Sequence, residues 1–204
     1  MLLVLFYLIS GNNKKALLIA LGWLFISGIL ISGGYFQRLP PLFLIMVVIA
    51  FSLMIIGLRR LYFPDKPVAY LLAIHAMRLL VEWVLYRLYL EQKIPKLMTF
   101  EGWNMDILFG ISAILMLIWL LFIRKPISRK LFLVWNILGL ISLTAIVSMG
   151  ILSSPIPIQQ FGFDQPNIAI LTFPYCYIPL FIVPMVYLAH FRGLKNLLEP
   201  AKPN

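Results

Sequence analysis

Cysteine is nearly absent from this chain: Cys176 is the single one, which excludes an intrachain disulfide, a CxxC redox pair and a thiolate metal cluster. Charge is scarce as well. Charged residues make up 12% of the 204 positions and hydrophobic ones 62%, far outside the composition of a soluble domain, so the bilayer is the solvent. The familiar hydrolase and zinc-protease signatures, HExxH and GxSxG among them, are missing, and so is a paired-aspartate helix motif. No basic run, RNA-binding motif or zinc spacing accompanies the net charge of +10. That argues against nucleic acid and leaves anionic lipid as the counter-charge. The opening MLLVLFYLIS has neither a basic n-region before it nor a small-residue cleavage site after it, so it does not read as a signal peptide. Ten helical residues reach roughly 15 Å, about half of a ~30 Å hydrocarbon core, which suits a half-helix or a start that lacks a first span.

What is present is a set of long apolar runs. Six stretches, at about 16–36, 41–58, 68–90, 105–123, 131–153 and 169–191, are long enough to cross and are bounded by charges, prolines or glycines. The expected fold is therefore all-α, one polytopic transmembrane bundle of six full spans plus the short N-terminal segment 1–10, with a tail at 192–204. Basic residues sort between alternate loops. Lys14 and Lys15, then Arg59, Arg60 and Lys66, then Arg124, Lys125, Arg129 and Lys130, then Arg192, Lys195 and Lys202 fall on one face. The other face has Arg38, Lys93 and Lys96, with Arg87 near the end of the third span. By the positive-inside rule the first face is cytoplasmic, which predicts the C-terminus inside and the N-terminus outside. No connecting stretch is long enough for a soluble catalytic domain, so any chemistry takes place within the bundle or at its rim.

The third span carries the stretch HAMRLLVE. At 100° per residue His75, Arg78, Glu82, Tyr86 and Tyr89 lie within roughly 80° of one another, a single polar stripe. A lone charge at mid-membrane costs on the order of 2.5–3.5 kcal/mol. Arg78 and Glu82, four residues apart, can neutralise one another along the helix. The stripe then has two readings: a cavity wall on which Arg78 takes an anionic group and Glu82 a proton or cation, or a paired seam that fixes helix packing. His75 and His190 fall at different depths in this segmentation, which argues against paired axial haem ligands. No other His, Cys or carboxylate spacing resembles a metal site, and no cofactor is expected.

Two loops on the outer face hold most of the remaining polar residues: IPKLMTFEGWNMD, 94–106, and SSPIPIQQFGFDQPN, 153–167. An outward pocket would join Glu82 and Tyr86 to Glu101, Asn104, Asp106, Gln160, Asp164 and Asn167. Each has a plainer role too: Asn104 can cap the fourth span with Asp106 in its first turn, and Asn167 can cap the sixth. Trp103, Phe161 and Phe163 suit an interfacial aromatic belt. The sixth span contains Pro174, Pro179 and Pro184, spaced by five. Each removes a backbone donor, stranding carbonyls such as those of Tyr175 and Leu180 and predicting kinks.

Three blocks carry a resemblance: RLLVE followed by PKLMTFEGWNMDIL, then LSSPIPIQQFGFDQPNIAI, then FPYCYIPLFIVPMVYLAHF. Over Leu71 to Leu194 the chain resembles a family of uncharacterised bacterial integral membrane proteins, whose members begin with a fuller first span. The resemblance implies a multi-pass protein of the bacterial cytoplasmic membrane and brings no activity or substrate with it. From the residues, the leading expectation is binding or transport of a small anionic molecule or lipid headgroup through an outward-facing polar pocket. An intramembrane enzyme using Glu82, Asp106 or Asp164 as acid or base on a lipidic substrate is the alternative. A structural subunit whose outer loops meet a partner protein is the third.

Overall fold

Without water to satisfy backbone groups in the bilayer, apolar runs of this length close their hydrogen bonds internally as helices. The computed structural model describes residues 1–60 and 68–198 and contains no strand among them. The helices are α1 (Leu2–Ile9), α2 (Lys14–Ser32), α3 (Tyr35–Arg38), α4 (Pro40–Arg60), α5 (Val68–Leu90), α6 (Asp106–Ile118), α7 (Arg129–Leu152) and α8 (Val183–Leu198). A π-turn, Trp119–Ile123, extends α6, and another, Ile178–Ile182, leads into α8. Six of these units are long and apolar enough to cross a membrane. The chain is an all-α, multi-pass membrane protein. Lys66 and Lys202 lie outside the described residues.

Local sequence sets the ends. The Asn13 side chain accepts from the Ala16 N–H at 3.1 Å and caps α2. Pro40 opens α4, where a missing N–H costs nothing, and Arg59 and Arg60 close it against the negative end of the helix dipole. The eight residues of α1 are a half-helix; its Leu2 and Ile9 are buried in a core shared with Met54, Leu71 and Ile74. Phe25, Trp83 and Phe122 are exposed on the outside of the bundle, as lipid-facing side chains are.

Small residues bring the central helices close. A Cβ on Gly110 would stand 2.7 Å from the Leu79 backbone nitrogen, so the backbones of α5 and α6 meet there with no room for a side chain between them. On α7 and α8 the contact is reciprocal: Gly139 faces the His190 ring, and Gly193 faces the Asn136 amide. At one end of the bundle Arg129 Nη2 donates to the Leu197 carbonyl, joining the start of α7 to the end of α8. At the opposite end the loop 165–169 ties α5 to α7. Gln165 donates to the carbonyls of Tyr89 and Ile94, the Ile168 N–H donates to Lys93, and Asn167 Nδ2 donates to Gly150.

The last span departs from expectation. Regular structure over 169–177 is a single 3₁₀ turn, Ala169–Leu171, and the helix begins only at Ile178. Pro174 and Pro179 explain the delay, since neither can donate within a helix. The helix then continues to Leu198, so 192–198 is helix rather than tail. Pro184 strands the Leu180 carbonyl as anticipated, and Trp23 Nε1 of α2 supplies the missing donor at 2.9 Å. The Tyr177 hydroxyl adds a second side-chain bond between the last span and α2, donating to Leu24 O at 2.9 Å. Trp23→Phe should therefore cost about 1–2 kcal/mol, the range for an unmade buried hydrogen bond in a bilayer. In a Pro184→Ala background, where the backbone regains its own donor, the cost should shrink; denaturant unfolding of the four proteins of this cycle in detergent checks it.

Candidate polar site in the bundle

His75, Arg78 and Glu82 are all buried on one face of α5. The stripe is real, but its pairing is not along the helix. Arg78 reaches across to α6, where Nε donates to Asp106 Oδ2 at 3.0 Å and Nη2 donates to Asp106 Oδ1. This two-pronged geometry is the one a guanidinium fork makes best with a carboxylate. Asp106 in the first turn of α6 also sits at the positive end of that helix's dipole, an advantage Glu82 in the middle of α5 lacks. The expected Arg78–Glu82 pair thus gives way to Arg78–Asp106.

Two of the three remaining Arg78 hydrogens are used too. Nη2 donates to the Gly139 carbonyl at 3.3 Å and Nη1 to His190 Nε2 at 3.2 Å, while the guanidinium carbon lies 5.0 Å from the Phe109 ring centre. An arginine only donates, so His190 Nε2 accepts and its proton sits on Nδ1. From there it donates to Asn136 Oδ1 at 3.0 Å, and Asn136 Nδ2 donates to the Phe132 carbonyl at 2.8 Å. Ser142 Oγ adds a donor to Asp106 Oδ1. The charge of Arg78 is balanced by Asp106 within the protein.

Glu82 is held differently. The Asn104 amide donates to its Oε1 at 2.7 Å and Oε2 at 2.8 Å, and approaches the Met98 carbonyl at 3.0 Å. Asn104 Oδ1 accepts from the Asp106 N–H at 2.9 Å. Asn104 is not the N-cap residue of α6, which is Met105; from one position earlier its side chain satisfies the first N–H of the helix and also positions a carboxylate. No lysine or arginine bonds to Glu82 among the described residues. One buried arginine faces two buried carboxylates.

Glu82, Arg78, Asp106 and Asn167 form the polar wall of a cavity of about 80 Å³. Its other walls are apolar, among them Phe43 and Val47 of α4, Leu143 and Ile146 of α7, and Val183 and Val186 of α8. Asn167 does not cap the last span, which begins eleven residues later. It closes α7 instead, donating to Gly150 O at 3.1 Å, and its buried Oδ1 has no hydrogen-bond partner.

The remaining expected members sit elsewhere. Tyr86 donates to Glu101 at 3.0 Å on the exposed rim, where Glu101 also meets Lys96 at 3.7 Å. Gln160 and Asp164 are exposed and line no part of the cavity. Nearby, the Lys93 ammonium at 2.7 Å holds the exposed Glu91 carboxyl below its usual range, a surface pair of small energetic weight. His75 and His190 are not at different depths: their ring centres are 4.1 Å apart. The later start of the last helix moves His190 inward, eight residues from the Leu198 end of α8, while His75 lies seven residues from the Val68 end of α5. Rings in contact leave no gap for a macrocycle between them. Both His75 nitrogens lack hydrogen-bond partners, and the ring edge meets Trp135 at 5.0 Å.

Sequence reasoning missed the contribution of α7. Asn136, Gly139 and Ser142 recur every three residues in an apolar helix, a spacing that puts them on one face and was available as a signal. The chain belongs to the family defined by a domain of unknown function, DUF8737, whose pattern matches residues 36–198. No curated protein and no solved structure matches it.

Proposed function

We propose that this DUF8737 protein binds an amphiphile in the cavity beside Glu82, with an apolar body against α4, α7 and α8 and a cationic or hydroxyl-bearing head on the carboxylate. The observation that carries this reading is the charge count: Asp106 takes up Arg78, and Glu82 faces an apolar cavity with only an amide for company. A buried carboxylate is costly unless paired, so a head that brings a cation or a donor is favoured there. The unpartnered Asn167 Oδ1 on the same wall is a second acceptor. Both free groups accept, which selects a donor. An anionic ligand would meet two carboxylates and an arginine already committed, so the reading moves from an anion to a donor-bearing head.

The size of the cavity suits a headgroup or a short stretch of chain, and the remainder of the ligand would lie between helices. We place the protein in a bacterial cytoplasmic membrane with the basic helix ends inside, following the distribution of Lys and Arg. The cavity then opens toward the outer half. The test is binding of a radiolabelled long-chain amine to purified protein, with the fatty acid of equal length as control. Saturable binding of one amine per chain, weakened about tenfold or more in folded Glu82→Gln, is expected, as for loss of a charge-assisted bond of roughly 1.5–3 kcal/mol. Tighter binding of the fatty acid, or an amine affinity indifferent to Glu82→Gln, would overturn it.

A further inference from the structure

A second cavity, of about 230 Å³, lies between α1, α2, α4 and α8 and shares no lining residue with the first. Small residues open it: Ala16 and Ala20 on α2, Ala50 and Gly57 on α4. Its walls are otherwise large and apolar, and Arg60 is the one charged residue among them. From Ala50 to Arg60 the groove follows ten residues of α4, roughly 15 Å, which is the depth of one leaflet of a ~30 Å core. The cation is at one end of that run, in the last turn of α4 beside Arg59. Lys14 and Lys15, exposed at the first turn of α2, immediately precede the lining residue Ala16.

We propose that this groove is a specific site for an anionic phospholipid, one acyl chain lying along Ala20, Ala50 and Gly57 and the phosphate on Arg60 with Lys14 and Lys15 nearby. The shape is that of a lipid in one leaflet: an apolar slot one leaflet deep, ending in positive charge where a headgroup would be. A zwitterionic lipid fills the slot equally well but gains less from the cations, each of which is worth about fivefold in affinity for an anionic surface. Selectivity for charge is what separates this site from the ordinary lipid annulus.

The experiment is native mass spectrometry of protein extracted from vesicles holding equal phosphatidylglycerol and phosphatidylcholine. Expected is one retained phosphatidylglycerol per chain, with retention falling at least about fivefold in Arg60→Gln and lost in Ala20→Phe, which fills the slot. A second readout is quenching by lipid with brominated chains of the part of the tryptophan fluorescence that Trp23→Phe removes, Trp23 lining the groove. Brominated phosphatidylglycerol should quench wild type more than brominated phosphatidylcholine, and Arg60→Gln should equalise the two. Equal retention of both lipids, or retention unchanged in Arg60→Gln and Ala20→Phe, would overturn the proposal. Glu82→Gln should retain phosphatidylglycerol fully, so failure at this site and failure of the amine site are read separately.

Discussion

Asp106→Ala is expected to destabilise the folded protein by about 3–5 kcal/mol, because it removes the carboxylate that binds the guanidinium fork and leaves Arg78 buried among three helices without a hydrogen-bonded counter-charge. Arg78 is 2% exposed, so bulk water does little to replace the lost carboxylate. The loss would spread beyond one bond. Ser142 loses its acceptor on Asp106, and His190 and Gly139 are left facing an unbalanced cation. Thermal unfolding in detergent, followed by fluorescence, measures the loss. The informative control is the double variant Arg78→Met, Asp106→Leu. Replacing both partners by apolar residues of similar size is often neutral or stabilising, so the double variant should recover most of what Asp106→Ala loses. A single variant as stable as wild type would mean that the ion pair does not hold α5 to α6.

Asn104→Ala carries the second large effect, expected at roughly 3 kcal/mol, since the interaction of the amide with the Glu82 carboxyl, taken as one hydrogen bond to an acidic group, contributes about 1.5–3 kcal/mol and the one to a backbone N–H about 1 more. The amide is the link between the two carboxylates: it donates to Glu82 and accepts from the Asp106 backbone. Removing it frees Glu82 to swing and takes the acceptor from the first N–H of α6 at once. Asn104→Asp isolates the two roles, keeping the acceptor for the Asp106 N–H while placing like charge against Glu82. It should be at least as damaging as the alanine, whereas a role confined to capping would leave it close to wild type. Denaturant midpoints for the two variants decide between these outcomes.

The spans were legible because a bilayer permits one answer to an apolar run of twenty residues, and the stripe on α5 was legible because helical periodicity fixes which residues share a face. Pairing was not. Arg78 has Glu82 one turn away on its own helix, yet it takes Asp106, twenty-eight residues away in sequence. The choice depends on how closely Gly110 lets α6 approach Leu79, a property of the hairpin that neither helix reveals alone. Asn167 was misassigned for a related reason. A residue following proline before an apolar run reads as a cap for what comes next, but the prolines at 174 and 179 delay that helix, and Asn167 turns back to the end of α7. The same delay corrected the depth of His190. In each case the outcome was decided by a tertiary contact that the local sequence does not show.

The uncompensated carboxylate also has an electrical consequence. The Arg78–Asp106 pair is neutral and feels little net force from a membrane potential, whereas a cationic head that binds Glu82 would bring a net charge into the field at that carboxyl. Glu82 lies eight residues from the Leu90 end of α5, roughly 12 Å into a ~30 Å core. A cation that reaches it from that end crosses about two-fifths of the potential drop. Since a full crossing corresponds to about 2.3 kcal/mol per 100 mV, occupancy of the site by a charged head would change by about 0.9 kcal/mol per 100 mV, four- to fivefold in affinity, between an energised and a depolarised membrane.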